Sequence, residues 1–203
     1  MSHGYQTIKI DGVSISLGNT KMGETPSVSL TPCRTCPASA PCRKDCYAFK
    51  AYRMFPSVRA AWDENTRIVE MDLDRFMGAV RKYLDDYKPR FFRWHVAGDI
   101  PSPPYYTQMR ALAREFPETH FLCFTKRYGY VLGTPRESNL QVVFSMWPGY
   151  GPTRRNRFPR AWMQDGTETR VPATALECPG NCESCGMCWH LDQIGRDVVF
   201  HKH

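Results

Sequence analysis

Arg90-Phe91-Phe92-Arg93-Trp94-His95-Val96-Ala97-Gly98-Asp99, then Pro103 to Phe116, then His120-Phe121-Leu122-Cys123-Phe124-Thr125, is the stretch whose reading decides the fold. The first run is apolar and aromatic and closes on Gly98-Asp99, as a strand entering a turn does. The middle carries Tyr106, Met109, Leu112, Ala113 and Phe116 at helical spacing, and Pro103-Pro104 suits its first turn. The third run is again a strand. Strand, helix, strand predicts a βαβ unit in a parallel sheet. A short helix or turn near Tyr130 leads to a further strand, Leu140-Gln141-Val142-Val143-Phe144-Ser145-Met146.

Upstream, two helical stretches fill Pro56 to Tyr87. Val58, Ala61, Trp62, Asn65 and Ile68 mark one face, and Phe76, Val80, Tyr83, Leu84 and Tyr87 another, with Asp72 or Asp74 as N-cap of the second. Thr7 to Ser16 alternates apolar and polar about Asp11-Gly12 and predicts a β-hairpin. Val28-Ser29-Leu30 reads as a short strand. In the last third Ala161-Trp162-Met163, Val171-Pro172-Ala173 and Val198-Val199-Phe200 are apolar pieces whose place in the sheet stays open.

At 203 residues and 42% hydrophobic, the chain is expected to fold as one α/β domain around its own core. Its divisions are residues 1–32 (hairpin and first strand), 33–50 (first cysteine loop), 51–175 (β/α core) and 176–203 (second cysteine segment). No apolar run reaches the length of a transmembrane helix, so no membrane partner is expected. The opening Met1-Ser2-His3-Gly4-Tyr5 lacks an apolar core, so no signal peptide is expected and the protein is placed in the cytoplasm. In that reducing compartment grouped cysteines favour metal over disulfides. The net charge of +7 permits an anionic partner, and Arg154-Arg155-Asn156-Arg157-Phe158-Pro159-Arg160, between Tyr150 and Trp162, is the candidate nucleic-acid contact. A solvated basic loop is the competing reading.

The cysteines carry the chemistry. Cys33, Cys36, Cys42 and Cys46 follow C-x2-C-x5-C-x3-C, and Cys178, Cys182, Cys185 and Cys188 follow C-x3-C-x2-C-x2-C. Four thiolates within so short a span can wrap one metal centre. Each set is compact, unlike the separated knuckles of a zinc ribbon, and predicts a 4Fe–4S cluster, with zinc as the alternative. Cys123, mid-strand among aromatics, reads as a core thiol. His190, His201 and His203 read as surface or packing residues before ligands, and His95, expected on the side opposite Trp94, as a structural imidazole. Asp99, Lys126, Arg127 and Ser145 each sit at or just beyond a predicted strand's C-terminal end, where parallel α/β sheets build their sites. The first cysteine loop is expected at the same edge. These four residues are the candidate contacts for a small-molecule ligand, Asp99 reading equally as a turn or N-cap residue.

Asn19-Thr20-Lys21-Met22, Cys36-Pro37, Cys42-Arg43-Lys44-Asp45-Cys46-Tyr47-Ala48 with Lys50, Arg93 to Asp99, Phe124-Thr125-Lys126, Cys178-Pro179 and Cys185-Gly186-Met187-Cys188-Trp189 resemble the phage gene product 88 family. The resemblance covers nearly the whole chain and implies a phage or prophage origin, hence a host cytoplasm, and a metal-dependent protein. In that family the positions of Cys36, Cys42 and Cys46 recur, while that of Cys33 is often another residue. The order of strand, cysteine loop, helices and a strand ending in Gly-Asp also resembles an abbreviated radical S-adenosylmethionine barrel. That resemblance implies a partial (β/α) barrel, a cluster with one open iron, and S-adenosylmethionine as its ligand. Two differences stand out: Cys42-x3-Cys46 is followed by Phe49 where that superfamily has its third cysteine, and its glycine-glycine-glutamate is reduced to Gly98-Asp99. Two iron–sulfur clusters in an enzyme or electron carrier are thus set against a nucleic-acid-binding regulator and a zinc-stabilised phage interaction module.

Overall fold

The computed structural model describes residues 6–154 and 156–201; Arg155 and His203 lie outside them. Among the described residues the strands are β1 (Thr7–Ile10), β2 (Val13–Ser16), β3 (Ser27–Val28), β4 (Phe91–Trp94), β5 (His120–Thr125), β6 (Leu140–Met146), β7 (Arg160–Gln164), β8 (Leu176–Glu177) and β9 (Val198–His201). The helices are α1 (Ala48–Met54), α2 (Pro56–Met71), α3 (Leu73–Tyr87), α4 (Pro103–Glu115), α5 (Tyr128–Val131), α6 (Cys182–Cys185) and α7 (Leu191–Ile194).

All nine strands form one sheet in the order β1-β2-β3-β4-β5-β6-β7-β9-β8. Asp11 and Gly12 both take positive φ, 48° and 86°, the geometry of a type I′ hairpin turn. The hairpin pairs β1 to β2 and β2 to β3 antiparallel; every pairing from β3 to β8 is parallel. The sheet is open, with β1 at one end and β8 at the other. Because seven strands run the same way, their C-terminal ends share one edge.

Buried parallel strands must be covered on both faces. Phe92 and Trp94 of β4, Phe121 and Cys123 of β5, and Val142, Phe144 and Met146 of β6 pack with Phe76, Val80, Tyr83 and Leu84 of α3 and Tyr105, Met109 and Leu112 of α4. Those helical positions recur every three or four residues, as an amphipathic helix requires. Asp72 caps α3 by accepting the Arg75 N–H at 2.9 Å, and Ser102 caps α4 ahead of Pro103. The alternate strand residues Leu122, Val143, Ala161 and Val198 face the other way, against Trp189 and Leu191. The second cysteine segment is therefore the lid on the face that the long helices leave uncovered.

The structure departs from the sequence reading in defined places. β4 ends at Trp94, three residues early, because His95 turns to φ 57°. Val171-Pro172-Ala173 is not a strand, and the two residues of β8 lie beyond it; Pro172 has no N–H to give a ladder. The last strands are ordered β7-β9-β8, which the separate apolar pieces could not reveal.

Asn65, the polar member of the α2 face, holds the hairpin to the helix layer. Fully buried, it accepts the Ser14 N–H at 2.7 Å and donates to the carbonyls of Ser14 and Ser29 at 2.9 and 3.1 Å. Asn65→Ala leaves three backbone groups unpaired and is expected to cost about 2–3 kcal/mol. Urea unfolding reads this as a lower midpoint at constant slope; an unchanged midpoint would show that the hairpin docks without Asn65.

Candidate functional site

The first cysteine loop leaves β3 and is fastened to the ends of β4 and β5. Leu30 N–H bonds the Ala97 carbonyl at 2.9 Å, extending the β3–β4 contact past the strand. Thr31 is held to α2, its N–H on the Thr66 hydroxyl and its own hydroxyl on Asp63, both at 2.7 Å. Thr35 is the centre of the attachment. Its hydroxyl accepts the Asp99 N–H at 2.9 Å, and its carbonyl accepts two N–H bonds from the Arg127 guanidinium, at 2.7 and 3.2 Å. Gly98 makes this approach feasible: its φ is 82°, and a Cβ there would lie 2.8 Å from Leu30 Cβ and 2.9 Å from Thr35 Oγ1.

Asp99 is 3% exposed, and both its oxygens are engaged. Oδ1 accepts the Thr125 hydroxyl at 2.6 Å and the Ile100 N–H at 2.8 Å; Oδ2 accepts the Lys126 N–H at 2.9 Å. Burial pushes its carboxyl above the usual carboxylate value, while these donors favour the ionised form. Asp99 and Arg127 thus brace the loop from below.

Cys33, Cys36, Cys42 and Cys46 sit on the loop held by this base, each half-buried. Cys33 takes a left-handed φ of 63°, and its carbonyl accepts Arg43. Its thiol lies with that of Cys46, and its pKa is raised by burial first and by Cys46 next. Burial also pushes the Cys36 thiol up to about 12, with the Asp99 carboxylate adding to it. Cys42 is raised by burial while the Lys126 ammonium against it pulls the other way. Among the thiols of the loop, Cys46 acts most strongly on Cys33.

The second set begins where β8 ends. Cys178 N–H bonds the Val199 carbonyl at 3.0 Å; Asn181 caps α6, and Gly186 ends it at φ 61°. Cys178, Cys182, Cys185 and Cys188 line one hollow with Met187 and Trp189. Burial pushes Cys188 up to about 12, followed by Cys182 and Cys178. The segment is also tied to the β2–β3 loop. Asn19 Oδ1 accepts the N–H groups of Lys21 and Met22 at 3.0 Å each, and the turn so formed presents the Lys21 carbonyl to Cys182 N–H at 2.8 Å.

Of the four candidate ligand contacts, three meet the first cysteine loop and one does not. Ser145 is on β6 beside Ala161, and its carbonyl accepts the Tyr128 hydroxyl. His190 packs on Phe91 and His120, and His201 bonds Glu177 at 2.8 Å. Cys123 is fully buried in the core, as expected. His95 does not face away from Trp94: its left-handed turn sets both rings against Tyr105, with Nε2 3.0 Å from the Tyr105 hydroxyl. In the basic stretch, Phe158 stacks on Phe144, Tyr150 packs on Tyr128, and Trp162 donates to Asp197, so these rings are engaged internally. Among the described residues no three histidine, cysteine or carboxylate groups are drawn to the distances of a closed metal site. No helix among them is long and apolar enough to cross a membrane.

Sequence reasoning assigned no role to Tyr47 or Arg93. The Tyr47 hydroxyl donates to the Val96 carbonyl, between the first loop and the end of β4. Arg93 places its guanidinium over the Phe124 ring, 4.9 Å from the centroid, on the cysteine-segment face. An arginine alternating with aromatics inside a two-faced strand was the available signal.

The family model described as gene product 88 matches residues 6–150. The "Gene 88 protein" of Mycobacterium phage D29 is 28% identical over 64% of this chain, and that of Mycobacterium phage L5 is 26% identical over 84%. The matched stretches span 60% of the D29 protein and 85% of the L5 protein. No solved structure matches this chain significantly.

Two outcomes follow from the buried polar groups. Asp99→Asn replaces an acceptor by a donor facing an N–H or a hydroxyl, and should cost about 1–3 kcal/mol in unfolding free energy. Equal unfolding midpoints for the two proteins would show the bracing to be dispensable. Burial pushes His95 down to about 3 from its ordinary 6.5, so it is neutral in the fold and protonates first in the unfolded chain. Its contribution is full above about pH 6.5 and is lost as pH falls toward 3, at up to about 1.4 kcal/mol per pH unit. His95→Asn, which tolerates the left-handed backbone, should flatten that slope in melts between pH 4.5 and 7.5; an unchanged slope would assign it to other groups.

Proposed function

This chain belongs to the gene product 88 family, and we propose that within it the protein is an iron–sulfur protein with two four-cysteine sites. What supports this reading is that each set of four cysteines shares one neighbourhood of the fold, half-buried and near a cation. Grouped, buried thiols repel one another's ionisation; a bound metal centre supplies the positive charge that lets all four become thiolates. The donor sets, all soft sulfur, suit iron–sulfur clusters or zinc. Cys33, Cys36, Cys42 and Cys46 would hold the first cluster, and Cys178, Cys182, Cys185 and Cys188 the second. A bound 4Fe–4S cluster supplies one-electron chemistry. The chain's own part is to exclude water, supply Lys126 and Arg93 as nearby cations, and fix both loops to one sheet.

With Cys33 beside Cys46, four ligands are at hand for the first cluster, which favours electron transfer over an open iron. An abbreviated (β/α) barrel binding S-adenosylmethionine draws support from the parallel sheet and from the cysteine loop above Gly98-Asp99. The occupied oxygens of Asp99 and the bracing role of Arg127 leave Lys126 as the candidate ligand contact at that edge. A nucleic-acid contact through Arg154 to Arg160 has less to support it, since the neighbouring aromatics are turned inward.

Anaerobically purified protein should be brown and carry about eight iron and eight sulfide per chain. Cys36→Ala and Cys185→Ala should each lose about half of both. Colourless protein with stoichiometric zinc would replace the iron reading by a zinc one. Added S-adenosylmethionine should leave the EPR spectrum of the reduced protein unchanged; an altered spectrum would establish an open iron and displace the closed first site.

A further inference from the structure

Arg93 lies on β4 in register with Leu122 and Ser27, and its side chain takes the face opposite Phe92 and Trp94. Phe91, two residues before it on the same face, packs on Trp189 of the second cysteine segment at 5.3 Å. The guanidinium covers Phe124, which belongs to that same apolar group, and Nη1 is 3.5 Å from Met22 Sδ. Met22 in turn belongs to the Asn19 turn that receives the Cys182 N–H. Arg93 therefore stands beside the apolar group on which Cys178, Cys182 and Cys188 pack. Its Nε is buried without a hydrogen-bond partner. Among the described residues no carboxylate forms an ion pair with it.

A guanidinium stays charged at any pH a protein meets, and half-burying one, as here, favours a nearby anion. The anions available on this face are the thiolates. The charge of Arg93 already acts on Cys182 and Cys188, opposing the rise that burial imposes on their pKa values. Lys21, half-buried like Arg93, acts on Cys182 as well, and Glu177 and Glu183 are exposed and screened. The first site has a different partner set: Lys126 against Cys42, Arg43 acting on Cys33, and the Asp99 carboxylate acting on Cys36 and Cys42.

We propose that Arg93 is the counter-cation of the second cysteine site and raises the reduction potential of the cluster held by Cys178, Cys182, Cys185 and Cys188. The inference rests on the iron–sulfur reading. Reduction adds one electron, and so one negative charge, to a cluster already carrying four thiolates. A fixed positive charge beside the site stabilises that reduced form more than the oxidised one, and net charge is among the levers that set cluster potentials. Arg93 thus acts through charge and position and takes no part as a ligand.

The test is an EPR-monitored redox titration with dithionite on the anaerobic, cluster-loaded full chain, the two signals being assigned with Cys36→Ala and Cys185→Ala. Arg93→Gln should lower the reduction equilibrium constant of the second cluster on the order of tenfold, about 59 mV for one electron. The first cluster should move far less. Arg93→Lys, which keeps the charge, should recover most of the difference. If Arg93→Gln does not fold, Arg93→Met keeps the apolar stem without the charge and reads the same quantity. Two clusters present with both potentials unmoved would overturn the role of Arg93 alone. A lysine variant as low as the glutamine one would assign its effect to packing instead of charge. Wild-type protein without iron would overturn the iron–sulfur reading itself.

Discussion

The junction of Gly98, Asp99 and Thr35 is the constraint from which the rest of the site follows. A strand that ends in a parallel sheet must hand its last backbone groups to something, and here β4 hands them to the cysteine loop. The glycine lets the two backbones approach, and the Thr35 hydroxyl takes the next N–H. The Asp99 carboxylate then collects the end of β5 through Thr125 and Lys126. One short turn therefore sets the loop height, the Lys126 position and the spacing between two strand ends. A side chain at position 98 would disturb all three at once.

The two cysteine groups are attached to the sheet in different ways. The first stands on the C-terminal edge and is braced by polar bonds from three directions. The second lies across a face, starting where β8 pairs with β9, and its aromatic and aliphatic residues do the covering. Its outer tie is the Asn19 turn, a loop near the other end of the chain. So the N-terminal loop, β4 and the C-terminal segment meet around Arg93, three pieces far apart in sequence.

Much of this architecture is legible in the amino-acid sequence. Long helices and buried strands announce themselves by period, and α2, α3, α4, β5 and β6 fall where periodicity puts them. Asp11-Gly12 names its own turn, and the cysteine spacings name their two groups. What stays hidden depends on tertiary pairing. The two-residue strand β8 has no period to detect, and β3, read as Val28-Ser29-Leu30, pairs at Ser27–Val28. Nothing local says that His95 turns left-handed, because the stabilising Tyr105 comes from the next helix. In sequence the role of Asp99 is open between a turn residue and a ligand contact, and only the positions of Thr125 and Lys126 distinguish them. Ser145 looks like a strand-end site residue because the sequence cannot say which way a strand's last residues face.

The lid formed by the second cysteine segment has a consequence for how the molecule is made. Leu122, Val143 and Ala161 wait for a cover that is synthesised after them. A nascent chain emerging in order would hold a bare apolar strip on a half-built sheet until Trp189 and Leu191 arrive. Docking of Trp189 and Leu191 is what closes that strip off from water. Assembly of the second site is then a late step in folding, and the time before it is when the polypeptide is most prone to stick to its neighbours.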